Sequence, residues 1–198
     1  MPRVMIVEDD LTILSNLSQL LQLSGLDVIE AYDGRMALDL LQHALQDQDA
    51  LPRLIVSDLM MPKMDGFELV RNLRYKYDKT DLIMIGVSGE SSEALSAKFI
   101  KHGANDFLRK PFHPEEFYCR IIHNIESLEL VEQITYNAQR DHLTGLYHRS
   151  YFFNAARELY NAAREKSAPL SMAVINIDNF SEINQHYGNA WGDSALKQ

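Results

Sequence analysis

Four short stretches of the chain carry residue types that could do chemistry together: Glu8-Asp9-Asp10, Ser57-Asp58, Ser88-Gly89 and Lys110-Pro111. Clustered carboxylates raise one another's pKa unless a cation compensates. A set of hard oxygen ligands suits Mg²⁺, which keeps several of its waters. Beside such an ion, Asp58 could act as a nucleophile toward phosphorus and form an aspartyl phosphate. The metal and Lys110 would then neutralise charge on the transferring oxygens. Ser88 would offer a hydroxyl to one of them, with Gly89 leaving the approach open.

The elements that must position these residues are legible as a repeating pattern. Short apolar runs at Val4–Val7, Val28-Ile29, Leu54–Val56, Leu82–Val87 and Phe107-Leu108 read as buried parallel strands. Between them, Leu11, Leu14, Leu17, Leu20 and Leu21 form a helical stripe, as do Met36, Ala37, Leu40, Leu41 and Leu45. Phe67, Val70 and Leu73, then Leu95, Phe99 and Ile100, then Phe117, Ile121, Ile122 and Ile125 complete five helices. The expected fold is α/β: a doubly wound, five-stranded parallel sheet with right-handed crossovers. In such a sheet, ligands bind at the carboxyl ends of the strands, where all four stretches fall. Asp10 is read as a helix N-cap rather than a ligand, and Asp65-Gly66 as the turn into the third helix.

Composition narrows the function classes. Among 198 residues, 46% are hydrophobic and 24% charged, close to the globular average. Apolar runs reach only four to six residues, far short of a membrane span. The single cysteine, Cys119, excludes an internal disulfide and fits a cytoplasmic location. A net charge of −9 argues against direct DNA or anionic-membrane binding. There is no glycine-rich phosphate loop.

With these residues in view, positions 1–125 resemble a two-component response-regulator receiver domain, CheY-like, with the flavodoxin-like strand order 2-1-3-4-5. The resemblance rests on Val7-Glu8-Asp9, on Asp58 with Met61-Pro62-Lys63-Met64-Asp65-Gly66, on Ser88-Gly89 and on Phe107–Phe112, in that order. It implies that Asp58 is the phospho-acceptor and Asp9 a direct Mg²⁺ ligand. Glu8 would act mainly through water, and the Met60 carbonyl would complete the site. Ser88 and Phe107 would form a switch pair, Lys110 would contact the phosphate, and the Lys110–Pro111 bond would be cis. Mg²⁺-dependent phosphatases that also use an aspartyl phosphate place an Asp two residues after the nucleophile; Met60 stands there instead.

From Glu115 to about Arg140 there is no Gly or Pro, and one helix of roughly 40 Å is expected. Positions 126–140 read as a connecting signalling helix. Leu128, Val131, Thr135 and Ala138 leave open a coiled-coil seam or a plain connector. Beyond it, Phe152–Ala163 and Phe180–Tyr187 read as helices and Leu170–Ile177 as a buried strand. One strand and two or three helices bury too little core alone, so 141–198 is expected to be the front part of a larger α+β domain.

That region resembles the start of a GGDEF (diguanylate cyclase) domain, through Asp141–Arg149 and Asn176–Asp193. By this resemblance Asn184 and Asp193 keep guanine-recognising positions. Asn176 replaces a metal-binding Asp with a neutral amide. Ser181, Gln185, Asn189 and His148 stand where the family usually has Lys, Asp, His and Asn. The signature turn would follow Gln198, so this chain is not expected to make cyclic di-GMP. The two resemblances together imply a sensor histidine kinase or phosphotransfer protein as partner and a homodimer on phosphorylation. For the full-length protein they imply GTP or cyclic di-GMP as ligand, either as an active cyclase or as a non-catalytic scaffold.

Overall fold

Val4 and Ile6 face one layer of helices while Met5 and Val7 face the other, so the first strand is apolar on both sides. The computed structural model describes residues 2–46, 51–89 and 93–197, and the chain divides into two units, Met1–Val131 and Glu132–Gln198.

In the first unit the elements alternate: β1 (Arg3–Val7), α1 (Leu11–Leu23), β2 (Asp27–Ala31), α2 (Gly34–Gln46), β3 (Leu54–Asp58), α3 (Gly66–Arg74), β4 (Ile83–Ser88), α4 (Glu93–Lys101), β5 (Asp106–Arg109) and α5 (Pro114–Gln139). All strand pairs are parallel, in the order β2-β1-β3-β4-β5. Leu14, Leu17 and Leu21 of α1 pack with Phe117, Ile121, Ile125 and Leu128 of α5 on one face. Leu41 of α2, Leu69, Val70 and Leu73 of α3 and Phe99 of α4 cover the other. This two-sided burial is why each strand reads as a continuous apolar run.

Helix starts are set by side-chain caps. Asp10 accepts from the Thr12 and Ile13 amides, and Asp65 accepts from the Glu68 amide. Asp33 caps α2 by accepting from the Met36 amide at 2.8 Å. Buried at only 4% exposure, Asp33 also takes the Lys63 ammonium. Lys63 sits at φ 64°, a left-handed conformation uncommon for a side-chain-bearing residue. The ion pair therefore ties the β3–α3 loop to the β2–α2 loop while that turn is held.

In the second unit, α6 (Arg149–Glu165), α7 (Phe180–Tyr187) and α8 (Asn189–Leu196) follow α5. The Asp141 carboxylate accepts from the Leu143 and Thr144 amides and the Thr144 hydroxyl, closing the turn before α6. The expected strand at Leu170–Ile177 does not form: these residues have no regular structure, and Val174 and Ile175 are 87% and 90% exposed. A strand needs a neighbour for its backbone groups, and no strand is present among the described residues of this unit. Among the described residues, no helix is long and apolar enough to cross a membrane.

The Lys63 hydrogen bond and the Met36 amide hold the Asp33 carboxyl below the usual aspartate range. Its contribution to stability is thus complete above the unfolded value near 3.8 and is lost as pH falls through the lower, folded value. Replacing Asp33 by Ala should cost about 1 kcal/mol at pH 7, typical of a lost cap. Urea unfolding should show the gap from wild type narrowing in strong acid. An Asp33→Asn variant, which keeps a cap acceptor, should lose less at pH 7.

Candidate functional site

The carboxyl ends of β1, β3 and β5 converge on one small volume. Glu8 continues the β1–β2 ladder by donating its amide to the Ala31 carbonyl, which draws its side chain inside at 3% exposure. The Asp10 cap then turns the chain into α1, leaving Asp9 exposed between them. Asp58 is the last residue of β3. Its Oδ1 accepts from the Leu59 amide at 2.6 Å and from the Met60 amide at 3.3 Å. Gly66 is required just behind: a Cβ there would stand 2.6 Å from the Asp58 carbonyl oxygen. Lys110 follows β5, with its amide donating to the Ser88 carbonyl, and precedes a cis peptide to Pro111.

Side-chain oxygens of Glu8, Asp9 and Asp58 lie within 4.8 Å of one another. The Lys110 ammonium bridges two of them, 2.7 Å from Glu8 Oε2 and 3.1 Å from Asp58 Oδ2. Unit charges about 4 Å apart repel by about 1 kcal/mol in water and about 4 kcal/mol at a protein-like dielectric near 20. Three carboxylates and one ammonium leave a formal charge of −2 in the pocket. Burial pushes the Glu8 carboxyl above its usual range; the Lys110 hydrogen bond draws it part of the way back, and the Asp58 charge adds to the rise. Burial works against the Lys110 ammonium too, but the Glu8 hydrogen bond and the charges of Asp58 and Glu8 outweigh it and raise the lysine. An all-oxygen donor set with two uncompensated negative charges fits a hard divalent cation such as Mg²⁺.

The remaining expected positions fall nearby or apart as follows. Met60 lies two residues beyond Asp58, with its amide donating to Asp58 Oδ1 and its side chain exposed. Ser88 is buried at the end of β4, in register with Arg109. Phe107, two positions before Arg109 on β5, is half-buried and aligned with Gly86 of β4. In the second unit, the Asn184 amide on α7 lies against Gly192 of α8, the neighbour of Asp193: a Cβ at Gly192 would overlap Asn184 Oδ1. Asn176 lies in the irregular segment before α7, and the hydrogen bonds of the described residues do not join it to that pair.

Asp33 and Lys63 pair between the β2–α2 and β3–α3 loops, and no motif joins them. An Asp before a helix looks like any cap, so nothing in the sequence around Asp33 points to Lys63. Lys63 belongs to the Met-Pro-Lys-Met-Asp-Gly run, but its partner lies 30 positions away. For Asp33 the signal in the sequence is its place before Gly34 at a helix start.

Comparison with known proteins agrees with this geometry. The response regulator receiver domain family matches residues 4–122, and the diguanylate cyclase GGDEF domain family matches residues 138–198. The transcriptional regulatory protein CpxR of Escherichia coli K12 is 35% identical over 121 residues, 61% of this chain and 48% of that protein. The chain thus spans about half the length of the curated relatives it matches. A solved "probable two-component system response regulator/GGDEF domain protein" is 41% identical with a TM-score of 0.60, over 65% of this chain and 51% of that one. The chemotaxis response regulator CheY4 of Vibrio cholerae is 31% identical with a TM-score of 0.54, over 63% of this chain and 98% of its own. The chain therefore belongs to the response-regulator receiver family, and a GGDEF domain region follows its receiver.

Proposed function

We propose that the first unit is a phosphorylation switch whose acceptor is Asp58. The observation that carries this reading is the Lys110 ammonium held between Glu8 and Asp58, within a cluster of three carboxylates at the strand ends. Glu8, Asp9, Asp58 and the Met60 carbonyl would hold Mg²⁺, which when bound supplies charge neutralisation for the phosphoryl oxygens.

In the proposed reaction an Asp58 carboxylate oxygen attacks the phosphorus of a phosphohistidine on a sensor kinase or phosphotransfer protein. The P–N bond breaks as the new P–O bond forms, and the imidazole departs. The Leu59 and Met60 amides fix the Asp58 carboxylate through Oδ1. Lys110 holds the other oxygen and stands ready to pair with a phosphoryl oxygen. The Ser88 hydroxyl then bonds the phosphoryl group and Phe107 moves inward. This is a population shift between two states, felt on the face made by α4, β5 and α5.

For the second unit we propose an output in cyclic di-GMP signalling, driven by dimerisation. The match of 138–198 to the GGDEF family supports it. Asn176, a neutral amide in place of a carboxylate, favours a GTP-binding or dimerisation scaffold over turnover. In a protein carrying the complete domain, phosphorylated dimers incubated with GTP and Mg²⁺ should bind nucleotide and release little cyclic di-GMP. Ready synthesis would instead establish the cyclase reading.

Intact mass after exposure to a small phosphodonor should show one added phosphoryl group that requires Mg²⁺. The adduct should vanish in Asp58→Asn; an adduct that survives this substitution would remove the assignment. Replacing Lys110 by Met should lower stability in EDTA by about 3 kcal/mol, because a buried pair loses one partner and leaves a charge unpaired. Adding Glu8→Gln to that variant should return part of the loss, as read by urea unfolding.

A further inference from the structure

The middle of β4 is built around a missing side chain. Gly86 lies in register with Phe107 on β5, and a Cβ at Gly86 would stand 2.4 Å from Phe99 Cε1 and 3.2 Å from Phe107 Cδ2. The Phe99 ring of α4 therefore rests on the β4 backbone, in the space any larger residue would fill. It is fully buried there. Registered residues of parallel strands share a face, and side chains two apart do too, so Gly86, Ser88 and Phe107 all face Phe99's side of the sheet.

Phe99 is also the centre of a row of rings. It meets Phe107 at 6.4 Å between centroids and 63° between planes, and Phe67 of α3 at 5.3 Å and 87°. Phe67 in turn meets His102 at 5.4 Å, with the Lys98 ammonium over its face at 5.1 Å. Edge-to-face pairs have a preferred geometry, so one ring cannot move far without its neighbour. Phe99 is fully buried and close-packed over Gly86, so a Phe107 ring moving toward it must displace it.

We infer that Phe99, admitted by Gly86, is the positioning residue that sets how far Phe107 travels inward, and that it passes this movement to α3 and α4 through Phe67. The inference rests on the switch reading of Ser88 and Phe107 above. The intact Phe99 ring holds Phe107 in its half-buried resting position until the phosphoryl group draws Ser88. Shortening Phe99 opens room for Phe107 without phosphorylation and shifts the resting population toward the switched state.

The test places a single 4-fluorophenylalanine at position 107 and records its ¹⁹F resonance with and without beryllofluoride and Mg²⁺, a mimic of the phosphoryl group. In the wild type the resonance should move on loading. In Phe99→Leu the free protein should already lie more than halfway to the loaded position, and phosphorylation by a small donor should be about 3-fold faster or more. Adding Gly86→Ala, whose methyl refills the vacated space, should return both readouts toward wild type. Phe99→Met, which keeps more volume, serves if the leucine variant does not fold. Folded variants whose resonances coincide with wild type in both states would overturn the role of Phe99. A wild-type resonance that ignores beryllofluoride would remove the switch reading itself, and this inference with it.

Discussion

The structure of the first unit depends on keeping like charges together. Glu8, Asp9 and Asp58 come from two strands, and their mutual repulsion opposes the approach of those strands' ends. What holds them is the Lys110 ammonium, delivered by the loop after β5 from two strands further along the sheet. The ion pair bridges residues 102 positions apart in sequence. It forms only when β1, β3, β4 and β5 lie side by side in register. The strand order is thus a condition of the charge arrangement as much as of the apolar core. A sheet with β3 and β4 exchanged would bury the same Val and Ile residues but part Asp58 from Glu8 and Asp9, breaking up the carboxylate cluster.

The same topology explains why the pocket is open at all. The chain leaves β1 for β2 on one side, while β3 lies on the other, so consecutive crossovers diverge at that edge. α1 and α5 cover one face and α2, α3 and α4 the other. The residues at the strand ends are left between these layers rather than beneath either. Asp9 is exposed there and Glu8 is buried, although they are neighbours. The difference follows from the Glu8 amide, which still takes part in the β1–β2 ladder, and from the Asp10 cap, which begins α1 one residue later.

The sheet was legible because two-sided burial writes itself into sequence as apolar runs, and the helices because their stripes recur at three and four. The pocket was legible because its residues sit at the ends of those runs. Less was legible where meaning depends on a partner far along the chain. Asp33 and Lys63 each look ordinary alone, and only the fold joins them. Gly86 interrupts an apolar run, which signals a close approach but not by what; Phe99 is named only by the packing. Leu170–Ile177 shows the opposite failure. Its composition is that of a buried strand, yet β structure is completed by neighbours and not by composition. Exposed and unpaired, the segment has nothing to make it a strand.

The second unit shows what organises a chain when burial contributes little. Among its described residues only Gly192 is buried. Its order must therefore come from local contacts, among them α7 against α8 and the turn after α5. The Arg140 guanidinium lies 4.9 Å from the centre of the Tyr136 ring and 4.0 Å from that of Tyr147, and it donates to the Gly145 carbonyl at 2.6 Å. The Asp141 amide donates to the Leu146 carbonyl and the His148 amide to the Gln139 carbonyl. Cation–π contacts at exposed sites contribute about 0.5–1 kcal/mol each, and single hydrogen bonds about as much. Together they suffice to fix one turn. They do not approach what the two apolar layers supply in the first unit, where whole side chains leave water at about 1.5–3 kcal/mol apiece. Contacts of this kind hold the turn from 139 to 148, while many apolar side chains of α6, α7 and α8 are in solvent.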